Sequence, residues 1–150
     1  MRRELVYLSS IGADCCETAQ AFGLGIELAQ FCTAARLDGA PAEPWELPVE
    51  RCLSAADRFI LHGPFNELTP AAIDPLVLDV TKKRYRQAIE KARTLGIRKI
   101  VLHAALFDGV MDIAGLLSLL EALSPQATCT LELPQNRPSL DWLVTKHLLE

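Results

Sequence analysis

Five short runs of mostly aliphatic residues punctuate the chain: LVYLS (5–9), GIELAQF (25–31), RFILHG (58–63), KIVLHA (99–104) and TCTLEL (128–133). Their apolar residues stand on consecutive positions rather than alternating, the pattern of parallel strands covered on both faces. Between the runs lie segments of helical periodicity, which is the alternation that βαβ units require. Tyr85, Ala88, Ile89, Ala92 and Leu95 keep the i, i+3, i+4, i+7 spacing and predict a helix over 79–95 that Gly96 stops. Ile113, Leu116, Leu117, Leu120 and Leu123 predict another over 112–123, capped by Asp112 and closed by Pro125. A last helix is expected over 139–148 behind Pro138-Ser139, and shorter ones over 14–22 and 48–56.

The stretch 63–78 reads as a long connection after the third strand, its freedom limited by Pro64, Pro70 and Pro75. Loops that follow strands in α/β folds are where ligands bind. No repeat, low-complexity tract or linker divides the chain, so 1–150 is expected to form one domain. A chain of 150 residues is too short for a complete eight-unit β/α barrel, which typically takes roughly 250.

Charge and composition narrow the function classes. The formal net charge of −4 argues against a general nucleic-acid binder. No apolar stretch reaches the roughly 18 residues needed to cross a bilayer. The start, MRRELVYLSS, lacks the apolar run of a signal peptide, so a cytoplasmic location is expected. Five cysteines, Cys15, Cys16, Cys32, Cys52 and Cys129, form neither a CxxC pair nor an even framework. For Cys15-Cys16, core packing is the expectation, since Asp14 would raise rather than lower a thiol pKa. The basic residues from Lys82 to Arg93 are interrupted by apolar stripe positions and Glu90, which fits a solvated helix face.

The informative chemistry is positional. Four of the five strands carry, at or near the end of their apolar run, a residue able to bind metal or move protons: Glu27, His62, His103 and Glu132. Parallel strands would bring all four to one rim, the end at which α/β enzymes build active sites. Two imidazoles and two carboxylates suit a divalent metal such as Mn, Zn, Mg or Co. A carboxylate beside such a Lewis acid can abstract a proton next to a carbonyl. Either histidine alone would read as a core imidazole bonded to nearby backbone. The recurrence after FIL and after IVL favours a shared polar site. Glu132, between Leu131 and Leu133, would be costly to bury without a partner. His147 belongs to the end of the last helix and would interact there with the helix dipole.

The segments GIELAQF, RFILHGPF, KARTLGIRKIVLHAAL and TCTLELPQNRPSLDWL, in this order and separation, together resemble the sugar phosphate isomerase/epimerase superfamily. These are the xylose isomerase-like TIM barrels that also include apurinic-site endonucleases. The resemblance implies an incomplete barrel of about five strands, an open half-barrel, with residues 1–107 as the first four β/α units and 108–150 as the last helix-strand-helix. It implies that Glu132 matches the eighth-strand glutamate that binds metal and shuttles a proton. His62 and His103 match the third- and fourth-strand histidines that bind metal or contact sugar oxygens, and Glu27 matches a second-strand substrate or structural contact. The fifth-strand glutamate, sixth-strand D-x-x-H and seventh-strand histidine would then be missing with the middle units, which would impair activity.

On that reading the last strand should lie beside the first, giving the spatial order 5-1-2-3-4. The connection 105–127 would cross four strand gaps, about 19 Å at roughly 4.8 Å each, which a twelve-residue helix of roughly 18 Å can follow. Exposed sheet edges would invite a homo-oligomer. The function implied is a sugar (phosphate) isomerase or epimerase acting on a small carbohydrate with a divalent metal. A non-catalytic binding module of the same fold and an abasic-site endonuclease are the alternatives, the latter opposed by the acidic charge balance.

Overall fold

The computed structural model describes residues 6–103 together with the strand at 128–132. The helices expected over 112–123 and 139–148, and with them His147, lie outside the described residues. The described elements are β1 (Tyr7–Ser9), α1 (Cys15–Phe22), β2 (Gly25–Leu28), α2 (Ala34–Leu37), α3 (Val49–Ala55), β3 (Phe59–His62), α4 (Pro75–Thr94), β4 (Lys99–His103) and β5 (Thr128–Glu132). The five strands are all parallel and adjoin in the order β1-β2-β3-β4-β5.

That order confirms a partial parallel β/α barrel and corrects one expectation about its layout. The last strand does not lie beside β1. It pairs with β4 over five positions, from Lys99 opposite Thr128 to His103 opposite Glu132. Because β5 is the immediate neighbour of β4, the expected crossing of four strand gaps does not arise. Consecutive pairing leaves no gap between β4 and β5 for absent middle units. Glu132 thus occupies the place of a fifth strand, not an eighth.

Residue alternation along each strand sorts the sheet into two faces. Ile26, Leu28, Leu61, Ile100 and Leu102 point to one of them and are almost fully buried with Cys16, Ala19, Cys52, Tyr85, Ala88 and Ile89 from the helices. Among the described residues all helical core side chains belong to this one cluster. Among the described residues, the helices pack on this face of the sheet. The opposite face carries Glu27, Ile60, His62, Val101 and His103, mostly half-buried. In a barrel it is the inner face, and Lys99 Nζ and Tyr7 Oη meet across it at 3.1 Å.

The helices follow from local sequence. α4 begins four residues before the apolar stripe predicts, because Asp74 caps it, its Oδ1 accepting from Leu76 N at 2.8 Å. Pro75 then sits in the first turn, where its missing N–H costs nothing. Buried Thr81, Tyr85, Ala88, Ile89 and Ala92 form its inner stripe, and Gly96, at φ 70°, ends it as expected. α1 and α3 appear within a residue of their expected bounds. The four-residue α2, capped by Thr33 Oγ1 on Arg36 N, has no counterpart in the periodicity because it is too short to show one.

The solvated reading of the basic face holds for Lys82, Lys83, Arg86 and Arg93, which are exposed. Arg84 instead pairs with Asp38 at 2.6 Å, and the Lys91 ammonium lies 5.0 Å from the centre of the Phe31 ring. No helix among the described residues is long and apolar enough to cross a membrane.

Candidate functional site

His62 ends β3 and His103 ends β4, both at the C-terminal rim. Register pairs His62 with Val101, so His103 stands two residues further along on the same face. The two rings meet there: Nε2 to Nε2 is 3.2 Å, with centroids 5.0 Å apart and planes inclined by 31°. Phe65, three residues past His62, lies against both, 5.3 Å from the His62 ring and 5.1 Å from the His103 ring.

Backbone fixes the two rings. His62 Nδ1 lies 2.9 Å from the Gly63 carbonyl oxygen. A carbonyl only accepts, so Nδ1 carries a proton, and in the neutral ring Nε2 holds the lone pair. The short contact to His103 then requires His103 Nε2–H to be the donor. On the other side, buried Tyr85 donates its hydroxyl to the His103 carbonyl at 2.9 Å. Gly63 itself donates to Val101 O at 2.8 Å, and a Cβ on it would stand 2.6 Å from both that oxygen and Leu102 Cδ2. Only glycine allows β3 to leave the sheet this close to β4.

Of the four rim residues expected from sequence, the structure brings two side chains together. Glu27 lies on the same face of β2, half-buried, in register with Ser9 and Ile60. It does not join the imidazoles, since no group of three His, Cys, Asp or Glu side chains able to hold a metal occurs among the described residues. Glu132 occupies the register position directly opposite His103. Adjacent strands run roughly 4.8 Å apart, so its backbone is an immediate neighbour of the histidine's.

The donor chemistry fits a divalent metal as far as it goes. Two imidazole nitrogens, each about 2.0–2.1 Å from zinc at a tetrahedral angle, stand roughly 3.3 Å apart. The observed 3.2 Å meets that spacing. A hollow of about 330 Å³ lined by Gln20, Gly23, Ser54, Asp57 and Arg58 lies at the opposite end of the sheet and has no part in this chemistry.

Sequence reasoning missed a buried polar network behind the rim. Ser10 Oγ accepts from Ala29 N at 2.9 Å and donates to Gln30 Oε1 at 3.0 Å, while Gln30 Nε2 donates to Leu47 O at 2.9 Å. It ties the ends of β1 and β2 to the approach to α3. The serine in a turn and the glutamine inside an apolar run were the available signals. The cysteines behave as expected of packing residues: Cys15, Cys16 and Cys52 are buried, and burial pushes the Cys15 thiol up to about 11 and that of Cys52 to about 12.

Parallel strands, helices on the outer face and imidazoles at the C-terminal rim define the fold as part of a β/α barrel. Solved structures share it, among them the following two. One, described as a D-tagatose 3-epimerase-like protein, superposes with a TM-score of 0.57 at 16% identity over 83% of this chain. The other, the TTHB071 protein from Thermus thermophilus soaked with ZnCl2, gives 0.54 at 22% identity over 87%. The chain spans 51% and 55% of their respective lengths. No protein-family model and no curated protein matches the sequence.

Proposed function

We propose that His62 and His103 are ligands of a divalent metal in a carbohydrate isomerase- or epimerase-type site. The observation that carries this reading is the 3.2 Å approach of two Nε2 atoms at the catalytic end of a fold shared with an epimerase-like protein. Glu132, opposite His103 in register, is the carboxylate suited to complete the ligand set or to take the proton. The bound metal would supply Lewis acidity, drawing electron density from a sugar carbonyl or hydroxyl.

The remaining work falls to the chain's own groups. A carboxylate at Glu132 would remove the proton next to the carbonyl and return it to the neighbouring carbon on the same face of the enediol. Glu27 contributes a hydrogen-bond acceptor for sugar hydroxyls on the same inner face. The substrate class is a small ketose or aldose, free or phosphorylated.

Calorimetric titration with Zn²⁺ and Mn²⁺ tests the metal reading: the parent chain should bind, and His103→Ala should not. Exchange of the proton beside a ketose carbonyl in D2O then tests the chemistry, with Glu132→Gln as the inactive comparison. No heat of binding in the parent would remove the metal site. Binding without exchange would support a non-catalytic binding module of the same fold.

A further inference from the structure

We propose that Gly63 and Tyr85 are positioning residues of the imidazole pair, Gly63 setting the tautomer of His62 and Tyr85 the place of His103, before any metal arrives. This rests on the metal-binding reading of the pair and adds to it which proton each ring carries.

Three contacts fix the arrangement. The Gly63 carbonyl, 2.9 Å from His62 Nδ1, keeps the proton on that nitrogen and leaves the Nε2 lone pair toward His103. His103 Nε2, 3.2 Å away, has its proton drawn into the contact with His62. The Tyr85 hydroxyl, 2.9 Å from the His103 carbonyl, anchors the end of β4 to α4 and so fixes the spacing of the rings. The two histidines are therefore unequal. His62 presents its ligating lone pair already, whereas His103 must move its proton from Nε2 to Nδ1 before both Nε2 atoms can ligate one ion. Outer partners that set a ring's tautomer in this way govern metal affinity, typically by 10–100-fold.

Gly63 is the more constrained of the two. Its carbonyl meets His62 while its N–H is held 2.8 Å from Val101 O, a closeness that a Cβ, placed 2.6 Å from the same oxygen, would forbid. A side chain there displaces the carbonyl and releases the His62 ring.

The test uses long-range ¹⁵N–¹H NMR correlations on the full, metal-free chain, recorded where the spectra show both rings neutral. His62 should appear protonated on Nδ1 and His103 on Nε2. In Gly63→Ala, His62 should redistribute toward Nε2–H, and Co²⁺ affinity, followed by its visible absorption, should fall about tenfold or more. Tyr85→Phe, a change small enough to leave the fold intact, should keep the His62 tautomer yet weaken cobalt binding to a similar degree. Finding His62 protonated on Nε2 in the parent overturns the proposal, as does parent-like cobalt affinity in Tyr85→Phe. A parent that takes up no cobalt but shows the stated tautomers would defeat the metal reading and leave the positioning role standing.

Discussion

The Ser10–Gln30 network behind the rim allows a sharp test of what holds the strand ends together. Ser10 and Gln30 are 4% and 5% exposed, so groups that lose a partner there have little access to water. Ser10→Ala removes one hydroxyl and strands two groups, the Ala29 N–H and Gln30 Oε1. Each buried orphan costs about 1–3 kcal/mol, so the variant should lose about 2–4 kcal/mol once partial relaxation is allowed. For a chain of this size that is a fall in Tm of roughly 4–16 °C.

Gln30→Leu strands a different pair, the Leu47 carbonyl and the Ser10 O–H. The double variant leaves only Ala29 N–H and Leu47 O, two orphans where the single variants together leave four. It should therefore be less destabilised than the sum by about 2 kcal/mol or more. Urea unfolding followed by circular dichroism gives each value, with an unchanged m showing that the unfolded state is the same. A loss below about 0.5 kcal/mol for Ser10→Ala, the range of an ordinary surface change, would refute the reasoning. Strict additivity in the double variant would do so equally.

Three further outcomes follow from the same structure. His62→Ala and His103→Ala should each abolish zinc uptake in calorimetry while leaving the circular dichroism spectrum of the parent. Burial holds the Cys52 thiol up to about 12 and Cys15 to about 11, so the unfolded chain gives up these protons first as pH rises. Stability should be level below the ordinary thiol pKa and fall above it toward pH 11–12, and Cys52→Ala should flatten part of that decline in urea midpoints measured across the range. The Arg84 guanidinium, helped by Gln87, holds the Asp38 carboxyl down to about 2. Its contribution is present above the usual carboxylate pKa and lost as pH falls toward 2, and Asp38→Asn should remove that component; the exposed position keeps the effect small.

Much of the architecture was legible because strands and helices are encoded by local periodicity. The runs carrying Glu27, His62, His103 and Glu132 all fall on parallel strands, and α4 follows the stripe from Tyr85 to Ala92. Helix α4 begins earlier than its stripe because Asp74 and Pro75 start a helix by capping, which a search for apolar spacing overlooks. Strand β2 stops at Leu28 although the apolar run continues to Phe31, since Ala29 and Gln30 turn away to hydrogen-bond with Ser10 and Leu47. Likeness in motif order suggested where the last strand should lie, but pairing is settled by contacts that the motifs do not contain.

What the sequence by itself determined was the kind of element at each position and the chemistry available at the strand ends, because both follow from residues within a few positions of one another. Tertiary structure alone decided that β5 lies beside β4, that the described helices share one core against the sheet, and that His62 and His103 meet while Glu27 stands apart. Those facts depend on strand order and register, which arise from pairing between distant segments. A strand's own residues specify which side chains share a face, and only its neighbours specify what that face meets.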